Sequence, residues 1–265
     1  MYRDYWKLTR LPFENLPDPQ FFYSSRGHQE AVMRLLFAIQ SRKMISLITG
    51  DYGSGKTVLC QTVMDRLSSN EHKIAFLTNP RMSATDLTRE IASQLGEDIG
   101  SDAKYDVLRS FRHLLDRHAV AGRHCTAIID EAQLINDISI LEDIRLLLNY
   151  QTSVRTSLSL VLVGQTEFND MLNAVPQMKQ RISLKFHIPQ LEPDELKPYM
   201  KFRLEAAGGD MAIFDDAAIA DLAKLSRCNP REINALADMC LLMGFFARKT
   251  KITPDIVNEA AKERM

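Results

Sequence analysis

The chain has 265 residues, 45% of them apolar, and a formal net charge of −1. That is enough apolar content for a sizeable core in one large or two small domains. The near-zero charge excludes a global basic field of the kind that announces nucleic acid, while leaving room for a local basic patch. Cys60, Cys125, Cys228 and Cys240 form no C-x-x-C pair and read as small hydrophobes in a reducing compartment. No apolar run approaches a membrane span and the N-terminus carries no signal peptide, so a cytoplasmic protein without a direct membrane span is expected.

In chain order, residues 1–26 read as an N-terminal aromatic arm. Tyr2, Tyr5, Trp6, Phe13, Phe21, Phe22 and Tyr23 crowd it. One reading has these rings staple the arm onto a sheet. The other has some of them line an adenine pocket or a neighbouring subunit. A helix near 27–41 carries Ala31, Leu35, Ala38 and Ile39 on one stripe. Strands are predicted near 43–49, 73–78, 124–130, 157–164 and 183–188, alternating with helices. The alternation predicts an α/β domain over 27–189, with a five-stranded parallel sheet covered by helices. From Pro189 the pattern changes to helices only, near 193–207, 215–226, 230–247 and 254–264. Residues 190–265 are therefore expected to form a small all-helical lid domain without strands. Pro189 and Pro193 interrupt either kind of element and mark the expected hinge.

Gly50-Asp51-Tyr52-Gly53-Ser54-Gly55-Lys56-Thr57 fits the phosphate-loop pattern G-x-x-x-x-G-K-[ST] without a gap. A triphosphate needs many short-range donors. Glycines let the backbone come close enough for its N–H groups to meet the phosphate oxygens. Lys56 reaches the β- and γ-phosphates in this reading, and the Thr57 hydroxyl ligates Mg²⁺. A strand runs into the motif. A helix from Val58 to Leu67 runs out of it, with Leu59, Val63 and Leu67 at helical spacing, and adds its N-terminal dipole. Residues Gly50 to Val58 are thus the candidate nucleotide cradle.

Cys125-Thr126-Ala127-Ile128-Ile129-Asp130-Glu131 is an apolar strand ending in two carboxylates. Asp130 is expected to hold Mg²⁺ through its water shell, and Glu131 to polarise the attacking water as a general base. A protein that only bound nucleotide could dispense with Glu131, so the pair argues for hydrolysis. A further apolar strand, Leu158 to Gly164, ends in Gln165-Thr166. Arg181, in Gln180-Arg181-Ile182, and Arg231, in Pro230-Arg231, are isolated arginines of the kind usually found as surface charges.

Read together, these blocks resemble the ExeA (GspA) group of AAA+ P-loop ATPases, which is related to the transposition-regulator ATPases of TnsC and TniB type. The resemblance runs nearly end to end. It is carried by Tyr2…Pro12-Phe13…Pro17-Asp18-Pro19…Phe22-Tyr23…His28-Gln29-Glu30-Ala31, by Asp130-Glu131-Ala132-Gln133, by Val163-Gly164-Gln165, and by Gln180-Arg181-Ile182. The first lid helix, Leu191…Glu195…Tyr199…Arg203-Leu204…Ala207-Gly208, and Asn229-Pro230-Arg231-Glu232-Ile233-Asn234 complete it. The resemblance implies ATP and Mg²⁺ as cofactors. It implies Gln165 as sensor one, with Thr166 second, on a strand lying between the strand of the phosphate loop (Walker A) and the strand ending in Asp130-Glu131 (Walker B). It implies Arg181 as an arginine finger and Arg231 as sensor two. Two positions depart from the family pattern: Cys228 stands where glycine is usual, and Thr166 where proline is favoured. Longer members continue into a transmembrane helix and an envelope domain, which a chain ending at Met265 is expected to lack.

The function implied is an ATPase that forms ATP-bridged homo-oligomers, rings or helical filaments, and drives assembly of a larger secretion or pilus machine with a protein partner. The alternative is a regulator of transposition that assembles on duplex DNA and recruits a transposase. In that case a basic cluster such as Arg42-Lys43, Arg123-His124 or Arg248-Lys249-Thr250-Lys251 would line the nucleic-acid track.

Overall fold

The computed structural model describes residues 1–15, 18–67, 70–135, 137–148 and 157–264. Pro17 of the N-terminal block and Met265 lie outside the described residues. The helices are α1 (Tyr2–Tyr5), α2 (Arg26–Gln40), α3 (Lys56–Arg66), α4 (Ala84–Gln94), α5 (Lys104–Val120), α6 (Ile138–Leu147), α7 (Phe168–Asn173), α8 (Pro176–Lys179), α9 (Leu196–Ala206), α10 (Asp216–Ser226), α11 (Pro230–Phe246) and α12 (Pro254–Arg264). The strands are β1 (Ile45–Gly50), β2 (His72–Leu77), β3 (His124–Ile129), β4 (Leu158–Gly164) and β5 (Ile182–Ile188). Two compact units result. A sheet unit comprises residues 30–51 and 59–188, and a helical unit comprises residues 1–29, 52–58 and 189–265.

In the sheet unit all five strands run parallel in the order β2-β3-β4-β1-β5. Side chains alternate across a pleated strand, so each strand feeds two cores. Leu158, Leu160 and Leu162 of β4 join Ala127 and Ile129 of β3 on one face, against Leu87 and Ile91 of α4, Phe111 of α5 and Ile144 of α6. Val161, Val163 and Ile128 point to the other face, against Leu35 and Ile39 of α2 and Leu59 and Val63 of α3. β1, β3 and β4 are buried along their whole length, on both faces, as central parallel strands are, and so are predominantly apolar. Edge strand β5 alternates partly buried and exposed residues instead. The strand of Gln165, β4, lies between β1 and β3. This places the ends of the Gly50, Gln165 and Asp130 strands side by side at one edge of the sheet.

The helical unit is built around one core, in which Ile233, Leu236, Ala237, Cys240 and Leu241 of α11 are all buried. The expectation that arm aromatics staple onto the sheet is corrected here. Tyr2, Trp6, Phe13 and Phe21 belong to the same cluster as Leu204, Leu222 and Leu241 of the lid helices. Polar ties fix this placement. Trp6 Nε1 donates to the Leu241 carbonyl at 2.9 Å. Buried Arg203 donates to the Pro12 and Glu14 carbonyls at 2.6 and 2.8 Å. The lid is also not wholly free of extended pairing, because Phe214 and Ile252 form an isolated parallel bridge.

Candidate nucleotide site

The loop following β1 is shaped by two glycines. Gly53 and Gly55 both have φ of +81°, a region that costs an L-residue about 1–2 kcal/mol. Space forbids a side chain as well. A Cβ on Gly53 would collide with Arg231 Cβ, and one on Gly55 would sit 2.8 Å from His28 Nε2. Lys56 opens α3 and is 6% exposed. A buried ammonium at a helix N-terminus is a strong attractor for anions.

Within the helical unit, two side chains hold this loop by its carbonyls. Asn229 Nδ2 donates to the Tyr52 carbonyl at 3.0 Å. The same residue caps α11, its Oδ1 accepting from the Arg231 N–H at 2.9 Å, with Pro230 at the first helical position. His28, 5% exposed, lies with Nε2 2.8 Å from the Ser54 carbonyl oxygen. A carbonyl can only accept, so Nε2 carries the proton. Nδ1, 2.6 Å from Ser25 Oγ, then accepts from that hydroxyl in the neutral ring. Burial holds the His28 pKa below its ordinary value, which favours the neutral form.

Arg231 stacks its guanidinium 4.2 Å from the centroid of the exposed Tyr52 ring. Such a contact contributes about 0.5–1 kcal/mol at an exposed site, so the arginine is held beside the loop but remains easily released. The turn that delivers Arg231 carries two left-handed residues in succession, Arg227 at φ +50° and Cys228 at φ +56°. Glycine is the residue that such a backbone favours, so Cys228 holds this turn with strain.

In the sheet unit, Asp130 directly follows β3 and is 1% exposed. Its Oδ1 accepts from the Glu131 N–H at 2.9 Å. Glu131 adopts φ +53°, an uncommon region for a non-glycine residue that turns the chain sharply after the strand. Gln133 lies in the short helical turn Ala132–Leu134 that follows. Its amide nitrogen donates to Glu131 Oε2, and its Oε1 accepts from the Gln165 N–H at 3.0 Å. Gly164 makes room, since a Cβ there would lie 2.9 Å from Gln133 Oε1. Glu131 and Gln165 are thus joined through one side chain. Arg181 precedes β5 and is half-buried, with Nη1 3.9 Å from Met44 Sδ. All four cysteines are buried and outside any disulfide, and burial pushes the Cys125 and Cys240 thiols up to about 12. The protonated thiols of Cys125 and Cys240 are packing groups rather than nucleophiles.

The residues fit a nucleoside polyphosphate. Beside the two glycines and Lys56, Ser54 Oγ is buried with no hydrogen-bond partner, a donor left for a ligand. Taken each within its own unit, the Thr57 hydroxyl and the buried Asp130 carboxylate are oxygen donors of the kind that Mg²⁺ accepts.

The AAA domain family matches residues 39–172, half of the chain. General secretion pathway protein A of Aeromonas hydrophila is 33% identical over 99% of this chain, and the chain spans 48% of that relative's length. Among solved structures, Aeropyrum pernix ORC2 in its ADPNP–ADP complexes superposes with a TM-score of 0.69 at 19% identity, covering 97% of this chain and 72% of that one. Aeropyrum pernix ORC1 in complex with DNA gives 0.71 at 17%, covering 97% and 70%. The Thermotoga maritima RuvB branch-migration motor gives 0.57 at 21%, covering 92% and 72%. At these identities the structures speak for the fold alone. Together with the sheet order and the glycine loop, the family match establishes that this chain belongs to the AAA+ ATPase family.

Proposed function

We propose that the chain is a Mg²⁺-dependent ATPase whose ATP binding and hydrolysis drive assembly of a larger machine. The observation that carries this reading is the loop 50–57, with two left-handed glycines and a buried lysine at the head of α3. In this reading the loop N–H groups and Lys56 bind the phosphates, while Thr57 and Asp130 hold Mg²⁺. Glu131, positioned by Gln133, draws the proton from the attacking water, and Gln165 orients that water or the γ-phosphate. Bound Mg²⁺ supplies charge neutralisation between the phosphate oxygens. Arg231 leaves Tyr52 for the phosphates when they arrive. Calorimetric titration with ATP and Mg²⁺ tests the binding half. Lys56→Ala should weaken ATP by about ten- to a hundredfold, the range for a lost charged hydrogen bond, and equal affinity in both proteins would refute it.

Arg181 acts in trans on this account, making ATP the bridge between subunits of a homo-oligomer. Arg181→Ala and Lys56→Ala, each inactive alone, should recover partial ATPase activity when mixed, because one interface then pairs an intact loop with an intact finger. Co-assembly without recovery would contradict action in trans.

The name of the curated relative supports a role in secretion machinery. The second reading, assembly on duplex DNA, has its own support in the exposed Arg248, Lys249 and Lys251 beside exposed Phe246. ATPase rates with and without duplex DNA at two salt concentrations separate them. Stimulation that falls steeply with salt favours DNA, and no stimulation favours the secretion reading.

A further inference from the structure

We propose that His28 and Asn229 are positioning residues that clamp the phosphate loop from its outer side and set it in its nucleotide-ready shape before nucleotide arrives. This rests on the reading of the loop as a nucleotide cradle. In a trans peptide the C=O and the following N–H point in opposite directions. Asn229 draws the Tyr52 carbonyl toward itself, which turns the Gly53 N–H to the opposite side of the loop. His28 draws the Ser54 carbonyl, which turns the Gly55 N–H away from the imidazole in the same manner. The two amides that the glycines make approachable are therefore aimed by two side chains distant in sequence. The glycines also vacate the volume in which this clamp sits, since added Cβ atoms would meet Arg231 and His28.

Each jaw is itself fixed. Ser25 Oγ accepts from the His28 N–H at 3.3 Å as an N-cap to α2, and donates to His28 Nδ1, which locks the tautomer that donates to the loop. Phe22 packs edge-on against the imidazole, ring centroids 5.3 Å apart. Asn229 cannot leave the loop without loosening the cap of α11, the helix that begins with Pro230 and Arg231. The jaw on Tyr52 thereby links the loop amides to the helix that presents Arg231.

The test is ADP affinity by calorimetry, with the melting temperature of each ligand-free variant measured alongside. Asn229→Ser keeps a hydroxyl to cap α11 and removes the donor to Tyr52, and Asn229→Asp keeps the cap and turns an acceptor on the same carbonyl. His28→Ala removes the second jaw, and His28→Gln restores an N–H donor. Each lost donor should weaken ADP by about five- to tenfold, the equivalent of one net hydrogen bond. Asn229→Asp should be the weaker of the two Asn229 variants, and His28→Gln should recover part of the His28→Ala loss. If His28→Ala fails to fold, the Asn229 pair decides. Parent-level ADP affinity in both Asn229 variants overturns the clamp while leaving the nucleotide site standing. Absence of ADP binding by the parent overturns the nucleotide reading itself, and the clamp with it.

Discussion

Gln133 Oε1 accepts a hydrogen bond from the backbone N–H of Gln165 at 3.0 Å. Its other amide atom donates to the Glu131 carboxylate. One side chain thereby sets the separation between the proposed base and the proposed sensor. Gln133→Leu keeps the volume and cuts both ties. We expect kcat to fall by about ten- to a hundredfold, as for a misplaced catalytic group, with ATP affinity within about twofold of the parent. Steady-state ATPase assays paired with calorimetry check this, and an unchanged kcat would remove Gln133 from the account.

Cys228 is held at φ +56°, where a Cβ is disfavoured. Cys228→Gly removes that strain at the cost of a more flexible unfolded chain and of a buried thiol. The strain relieved, about 1–2 kcal/mol, is opposed by about 0.4–1 kcal/mol of unfolded-chain entropy and about 0.8 kcal/mol for one buried methylene-sized group. Stability should therefore change little, whereas Cys228→Val, β-branched at a left-handed position, should destabilise by about 1–2 kcal/mol or more. Urea unfolding of both variants reads the difference. A Val variant as stable as the parent would mean that this turn is not strained.

His28, His72 and His118 share a direction of shift. Burial is the largest cause in each, and holds each pKa below the ordinary 6.5. An unfolded chain then binds more protons than the folded one between the folded value and 6.5. Stability from this source is complete above about pH 6.5 and declines as the pH falls through it, with a slope of at most about 1.4 kcal/mol per pH unit per histidine. Melting temperatures should fall between pH 7.5 and 5.5, and less steeply in His28→Gln. A flat profile would contradict burial as the dominant influence.

The residues explain what could be read before the structure and what could not. The stripe Ile233, Leu236, Ala237, Cys240, Leu241 announces α11 because a helix buries every third or fourth residue, and all five are buried. The loop 50–57 is legible because its chemistry is local, each residue serving a ligand through its own backbone or side chain. His28, Asn229 and Gln133 lie inside recognised blocks, yet their partners are set by packing. His28 is 26 residues from Ser54, Asn229 is 177 from Tyr52, and Gln133 is 32 from Gln165. An asparagine before a proline is compatible with the cap of α11, but nothing in the sequence says that its second amide atom reaches the loop. Aromatic content forecasts burial without naming a partner, so the sequence offers a sheet, an adenine pocket or a neighbouring subunit for the arm rings alike. Their actual partners are the lid helices.

ATP hydrolysis through Glu131, which closely follows β3, is the reaction proposed for this chain. The most direct measurement is phosphate release from Mg²⁺–ATP by the parent and by Glu131→Gln, each saturated with nucleotide. The account predicts steady release by the parent and a rate lower by about 10²–10⁴-fold in the variant, the range for a lost general base, with ATP still bound. Parent-level release by Glu131→Gln would show that another residue activates the water, and no release by the parent would contradict the account as a whole.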